Sequence, residues 1–138
     1  MASNNWKTWR DTLLEMPVFN DNVDRTMEKI SGIYVIGTTT FNPNTNEKYY
    51  WVKAGRSSNL NQRFISYRTA NPAIYPIAWE EHDPTDLGEY ERYFQLVLMD
   101  VAIAKSSFSN EWFLLDETTY KEICAKGCNW FYGNLKER

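Results

Sequence analysis

The chain has 138 residues, of which 43% are hydrophobic and 24% are charged, and its formal net charge is −3. This length predicts a globular fold with its own core, and the lack of an apolar run of roughly 20 residues excludes a membrane span. The N-terminus lacks a basic segment followed by an apolar one, so we predict no secretory signal and an intracellular setting.

The N-terminal part, residues 1–30, is predicted to be a helical extension in two pieces that are separated near Pro17. Trp6, Trp9 and Leu13 recur at helical spacing, so we expect them to pack on the domain. A helix that binds a partner is the alternative.

The domain proper is predicted to span residues 31–138 and to begin with a β-hairpin. Residues 31–40 are rich in β-branched side chains, a turn cluster of Asn, Pro and Thr follows, and residues 48–54 form the returning strand. Ser57 or Ser58 is expected to cap the next helix, which ends before a proline.

The second half of the domain predicts one more strand, over residues 73–81, and then two helices. Asp86 is expected to cap the first helix, and Asp116 caps the last one, which Gly127 stops. Between the helices, residues 111–115 form a short buried segment that is a candidate strand.

The two cysteines, Cys124 and Cys128, are predicted to be free thiols. Their spacing suits one face of a helix, where a disulfide is awkward. A zinc site lacks further ligands, because the sole histidine, His82, lies far away in the sequence.

Charge is unevenly distributed along the chain, with a basic segment followed by an acidic one. The basic segment contains Lys53, Arg56, Arg63 and Arg68, and the acidic one contains Glu80, Glu81, Asp83, Asp86, Glu89 and Glu91. Such segments fit a phosphate site beside a metal site, but taken alone they are more typical of a solvated surface of mixed charge. The negative net charge argues against tight non-specific binding to nucleic acid.

Three residues are candidates for phosphodiester chemistry, which needs an aligned water, a proton acceptor and positive charge near the phosphoryl oxygens. Tyr34 lies in the first predicted strand, beside the strand that carries Lys53. A free tyrosine has a pKa of about 10, so it needs a nearby cation to act as a base. Arg63 can fork onto a nonbridging oxygen, and Gly55 lets the backbone approach a ligand. Packing or ordinary ion pairing explains each residue singly.

Glu91 is the candidate metal ligand. It stands at helical spacing before Phe94 and Leu98, so it lies near the start of a helix whose apolar face packs inward. Mg²⁺ often takes one or two carboxylates and several waters. The structural alternative is an exposed acid that is stabilised by the positive end of the helix dipole.

In this order the motifs resemble the GIY-YIG nuclease superfamily, and in particular its viral and meiotically up-regulated branch. The motifs are Gly32-Ile33-Tyr34, Lys53-Ala54-Gly55-Arg56-Ser57, Leu60-x-x-Arg63, Glu91-x-x-Phe94-Gln95 and Glu111-Trp112-Phe113. They span about residues 31–120. The resemblance implies an α+β domain with a small three-stranded antiparallel sheet that is flanked by helices.

The resemblance also implies a metal-dependent endonuclease that hydrolyses DNA with Mg²⁺ or Mn²⁺. Glu91 would hold the metal, Tyr34 would act as the base or orient it, and Arg63 would stabilise the transition state. Lys53 stands where the wider superfamily has tyrosine, and Gln95 stands where the branch often has histidine. Substrate contacts are expected from Gly55, Arg56, Ser57 and Arg68.

The alternative function is a GIY-YIG-like binding or structural module that has lost catalysis, such as a virion component. In either case the acidic net charge predicts weak binding to DNA by this domain alone. A protein partner or dimerisation would then supply targeting.

Overall fold

The computed structural model describes residues 30–71, 73–106 and 111–135, so nearly all of the predicted N-terminal extension lies outside the described residues. The described strands are β1 (Gly32–Phe41), β2 (Lys48–Ser57), β3 (Tyr75–Glu81), β4 (Ala104–Lys105) and β5 (Trp112–Asp116). The described helices are α1 (Leu60–Ala70), α2 (Leu87–Val101), α3 (Glu117–Lys126) and α4 (Cys128–Leu135), and a 3-10 turn (Pro84–Asp86) precedes α2.

The strands form one five-stranded sheet in the order β3-β1-β2-β5-β4, and all neighbouring strands are antiparallel. The predicted α+β class is therefore confirmed, but the predicted three-stranded sheet is too small. The two additional strands come from the second half of the domain. β5 pairs with β2 over only a few residues, and the two-residue β4 pairs with β5. Strands this short contain too few residues for an alternation of apolar and polar side chains to be recognised in the sequence.

Side-chain alternation gives the sheet two different faces. Ile33 and Val35 of β1, with Val52 and Ala54 of β2, enter a large core that α2, α3 and α4 cover. We call this side the helix-rich face. The residues between them point to the other side, where Tyr34 and Ile36 pack with Leu60 and Phe64 of α1 in a smaller cluster. We call this side the α1 face.

The helix ends agree with the predicted caps in part. Asp116 accepts a hydrogen bond from the Thr119 amide at the start of α3, and Gly127 ends that helix with a φ of 61°, both as predicted. The predicted cap of α1 is wrong: Asn59 accepts from the amide of Gln62. Ser57 instead bonds the backbone of Asn59, so its hydroxyl shapes the turn before the cap.

The start of α2 differs from the prediction in its hydrogen bonding. Asp86 occupies the N-cap position, but its side chain makes no capping bond. Asp83 caps the preceding 3-10 turn by accepting from the Thr85 amide. The carboxylate that caps this segment is therefore that of Asp83, at the 3-10 turn, and not that of Asp86, which was predicted to cap the helix.

The two cysteines lie in successive helices. Cys124 belongs to α3 and Cys128 begins α4, and no disulfide joins them, in agreement with the prediction. The predicted single helical face for the pair is wrong, because Gly127 breaks the helix between them. Among the described helices, none combines the length and apolar character that crossing a membrane requires.

Candidate phosphodiester site

The α1 face holds a pair of tyrosines from β1 and α1. The hydroxyl oxygens of Tyr34 and Tyr67 are 2.9 Å apart, and either can be the donor. Their ring centroids are 5.7 Å apart in a tilted arrangement. The strand therefore fixes one hydroxyl and the helix fixes the other.

Gly55 makes room for this pair. It lies directly opposite Tyr34 in the register of β1 and β2. A Cβ atom on Gly55 would stand 2.3 Å from the Tyr34 hydroxyl oxygen and 2.4 Å from the ring carbon that bears it. The Tyr34 ring thus occupies the space that any larger side chain at position 55 would fill. Position 55 must therefore be glycine because Tyr34 lies opposite it.

Lys53 lies next to the tyrosine pair and is held by an acid from the segment before β5. Its Nζ is 2.9 Å from a carboxylate oxygen of Glu111 and 5.3 Å from the centroid of the Tyr67 ring. Burial by itself lowers the pKa of Lys53, but Tyr67 and Glu111 favour the ammonium and the pKa is raised overall. Lys53 is therefore a positive charge at neutral pH.

Tyr34 keeps its proton at neutral pH. Burial is the largest cause of the raised pKa of this hydroxyl, and its hydrogen bond to Tyr67 is the next. Arg63 opposes the rise, while Glu111 adds to it. The cation that favours the tyrosinate is therefore Arg63, whereas the sequence pattern had suggested Lys53 for this role.

Arg63 completes the group on the α1 face. It lies on α1 with an exposed side chain, one turn before Tyr67. The structure therefore brings together the predicted residues Tyr34, Lys53 and Arg63. Tyr67 and Glu111 also belong to the group and were not predicted for it. The spacing of four residues between Arg63 and Tyr67 was the available signal, because such residues share a face of a helix.

Glu91 and Arg56 form a second group. The Arg56 Nε and a Glu91 carboxylate oxygen are 3.5 Å apart, and the Glu91 side chain is 23% exposed. Arg56 alternates with Gly55 along β2, and Gln95, one turn after Glu91, donates to the Ala54 carbonyl at 3.3 Å. Glu91 therefore lies on the helix-rich side of β2, whereas Tyr34 lies on the α1 side.

The remaining predicted substrate contacts differ in their availability. The Arg56 side chain is 53% exposed despite its ion pair. The Ser57 hydroxyl is engaged with the backbone of Asn59. Arg68 lies in α1, but its side chain lies outside the described part of the chain.

The acidic segment does not gather its carboxylates into one metal centre. Within the described residues, no group of three or more His, Cys, Asp or Glu side chains could hold a metal ion. Glu80 is fully buried, where it accepts a hydrogen bond from Tyr132 and lies beside His82. Glu91, by contrast, is partly exposed and forms a long ion pair with Arg56. This donor set fits an ion such as Mg²⁺ that takes one carboxylate and fills its other positions with water.

Comparison with known proteins gives one match. A model of the family described as the T5orf172 domain matches residues 31–128, which is more than two thirds of the chain. This range contains every element from β1 to α3 and both groups of candidate site residues. No curated protein and no solved structure matches the chain.

Proposed function

Because the chain belongs to the T5orf172 domain family, a phage-associated domain of the GIY-YIG/HNH-like endonuclease type, we propose that it is a metal-dependent endonuclease. Its substrate would be DNA and its reaction the hydrolysis of phosphodiester bonds, in the manner of the GIY-YIG enzymes. The observation that supports this most is the convergence of Tyr34, Lys53 and Arg63 with Tyr67 on the α1 face. Fold likeness alone leaves the activity open, so the proposal depends on this group.

In the proposed reaction the tyrosine pair orients the attacking water. A hydroxyl both donates and accepts, so when Tyr34 donates to Tyr67 its own oxygen is left to accept a hydrogen bond from the attacking water. The raised pKa of Tyr34 means that it begins the reaction protonated. Tyr34 therefore orients the water, whose proton is released to bulk solvent, and Arg63 stabilises the negative charge that develops on the phosphoryl oxygens.

Positive charge for the phosphoryl group comes from Arg63 and Lys53. Arg63 is exposed on α1, and its planar guanidinium can donate two hydrogen bonds to one phosphate. Lys53 is mostly buried with a side-chain exposure of 12%, and it holds Tyr67 and Glu111 in place. Arg63 is therefore proposed to contact the substrate, and Lys53 to contribute its charge and to order the site.

Glu91 is the residue that would hold Mg²⁺ or Mn²⁺, which when bound stabilises the negative charge on the reacting phosphate. Its ion pair with Arg56 is partly solvated, so separating the two side chains costs little. Because Glu91 and Tyr34 lie on opposite sides of β2, the proposal requires the substrate to bind where that strand ends, at Gly55 and Arg56. Arg56 would then be free to contact a phosphate.

A binding module without catalysis is the second candidate. It is favoured by Gln95, whose amide bonds the Ala54 carbonyl and cannot exchange protons as histidine does. The net charge of −3 also favours a domain that receives its nucleic acid from a partner. Under this alternative the tyrosine pair is a rigid contact surface.

The test is cleavage of supercoiled plasmid by the full chain with Mg²⁺, Mn²⁺ or EDTA. Metal-dependent nicking is expected, and Arg63→Ala and Glu91→Ala each lower its rate by about a hundredfold or more, which is typical for loss of a group that stabilises transition-state charge. Glu89→Ala is the matched control, because Glu89 is an exposed acid on the same helix that contacts only Tyr93 among the described residues. Nicking that persists in EDTA, or that is equal in all variants, would contradict the proposal.

A further inference from the structure

Beyond α1, the α1 face of the sheet carries aromatic side chains that no other described helix covers. Tyr49 and Trp51 of β2 and Trp112 of β5 point to this face, because the residues between them enter the large core. All three are partly exposed. We call Tyr49, Trp51 and Trp112 the aromatic surface.

The aromatic surface is continuous with the candidate phosphodiester site. Trp112 lies directly opposite Lys53 in the register of β5 and β2. Trp51 lies two residues before Lys53 on β2, which is a separation of about 7 Å along the strand. A strand of nucleic acid whose phosphate contacts Arg63 near Lys53 would therefore have its neighbouring bases over Trp51 and Trp112.

The rings of this surface differ from the aromatic rings of the large core. Tyr50 stacks on Tyr120 at 3.7 Å between centroids, and Phe94 stacks on Phe131 at 4.3 Å. Neither Trp51 nor Trp112 stacks on another ring in the part of the chain that the structure describes. Among the described residues, Trp51 packs in neither core cluster, whereas Trp112 packs against the smaller one with part of its surface still exposed.

The charges around the surface favour bases over phosphates as its ligand. Asp116 lies opposite Tyr49, and Glu111 borders the surface through its ion pair with Lys53. These acids repel a phosphate placed directly over the rings, whereas a neutral base is not repelled. With a net charge of −3, stacking also offers affinity that neutralisation of phosphates cannot supply.

We propose that the aromatic surface binds unpaired DNA bases next to the scissile phosphate, so that single-stranded or branched DNA is the preferred substrate. A duplex keeps the flat faces of its bases inside the stack, so only unpaired bases can lie on Trp51 and Trp112. This inference rests on the proposed nuclease function for its purpose, but binding of bases is measurable without cleavage.

The experiment measures binding of the full chain in EDTA by fluorescence anisotropy. Three labelled probes with equal numbers of phosphates are compared, namely a single strand, the same strand with several abasic positions, and a duplex. The single strand is expected to bind most tightly. Trp51→Ala weakens this binding roughly five- to hundredfold, the range for loss of one base–aromatic stack, and leaves binding of the abasic strand unchanged.

Two control variants separate stacking from other effects. Trp51→Phe keeps an aromatic face and retains most of the affinity. Phe41→Ala removes an exposed ring at the far end of β1 and changes nothing. Equal affinity of wild-type protein for the normal and abasic strands overturns the proposal, and this comparison needs no variant to fold.

The remaining outcomes separate the proposed base-binding surface from the proposed nuclease function. If Trp51→Ala binds the normal single strand as tightly as the wild type does, the surface does not hold bases and the proposal is overturned. Tight binding of single strands without any cleavage of plasmid would refute the nuclease and leave the base-binding surface intact. Cleavage of duplex with no effect of Trp51→Ala would refute the surface and leave the nuclease intact.

Discussion

The two faces of the sheet differ in role, although the same strands form both: one face holds the main core and the other holds the candidate site. The helix-rich face is packed with apolar side chains from three helices and includes two closely stacked aromatic pairs. The α1 face has a smaller apolar cluster beside a polar group of Tyr34, Tyr67 and Lys53. On β2, Val52 and Ala54 stabilise the fold while Lys53 and Gly55 form the candidate site. Because successive side chains of a strand point to opposite faces, one strand supplies core residues on one side and candidate site residues on the other.

The separation predicts which residues the domain can change. Exposed residues on the α1 face that belong neither to the candidate site nor to its small apolar cluster can vary, whereas the apolar residues of the helix-rich face cannot. Glu80 is the exception on the packed side, since it is an acid with no exposed surface that bonds Tyr132. A buried acid held in this way is sensitive to loss of its partner.

The comparison is tested most strongly by truncating one aromatic residue on each face. Phe94→Ala removes a fully buried ring and is expected to lower the free energy of unfolding by about 3–5 kcal/mol. Trp51→Ala on the aromatic surface is expected to cost less than half as much, because its ring is partly exposed. Urea unfolding of both variants gives the two values. Equal costs would mean that the α1 face is as tightly packed as the other.

A second test uses Gly55, where the fold and the candidate site meet. Gly55→Ala places a Cβ atom within 2.4 Å of the Tyr34 ring, so the tyrosine must move. We expect a loss of stability of about 1–3 kcal/mol from overpacking, together with loss of DNA cleavage.

The control for Gly55 is Gly133→Ala, whose added Cβ meets nothing within 4 Å and should leave both stability and cleavage intact. In a Tyr34→Ala background, Gly55→Ala should cost less stability than it does in the wild type, since the clash is then gone. If Gly55→Ala were as stable as wild type in the presence of Tyr34, the close packing of the pair would be refuted.

The smallest expected effect is a loss of stability at alkaline pH that originates on the α1 face. The pKa of Tyr34 is raised in the folded state, first by burial and then by Tyr67. A raised pKa stabilises the folded state fully below the unfolded pKa, so this contribution is lost as the pH rises above about 10. For Tyr34 alone the loss reaches about 1.4 kcal/mol by one pH unit above that value.

Urea midpoints at several pH values between 8 and 11 measure the slope. Tyr34→Phe should flatten it, because the variant has no proton to lose at this position. Tyr50→Phe is a useful comparison from the helix-rich face, since burial and Glu117 raise the pKa of that hydroxyl as well. An unchanged slope in Tyr34→Phe would show that the hydroxyl is exposed to solvent.

The sequence predicted those parts of the fold that depend on local patterns. β1, β2 and α2 follow from alternation, turn residues and a helical apolar stripe, and each lies close to its expected bounds. The pairing of β5 with β2 could not be predicted, because it joins residues about sixty positions apart and β5 is only five residues long. The result was a sheet of three strands in the prediction and of five in the molecule.

The candidate site was predictable to the same extent. The position of Gly55 opposite Tyr34 follows from the hairpin alone, so the first two motifs could be placed together. Glu91 was correctly expected on a helix, but periodicity within that helix does not say which side of the sheet it packs against. Tyr67 was not predicted for the site, because its contact with Tyr34 exists only once the helix docks.

The β1–β2 hairpin extends far past the site. Its turn at residues 42–46 is polar and exposed, with Asn46 at a φ of 62°, and about eight residues of strand separate it from Tyr34. That length corresponds to an arm of roughly 25 Å. Exposed polar loop tips accept inserted domains well. A sequence-specific DNA-binding domain could therefore be inserted between Asn44 and Thr45, at a distance from the candidate site. Such an insertion would be a way to change which DNA sequence the domain acts on.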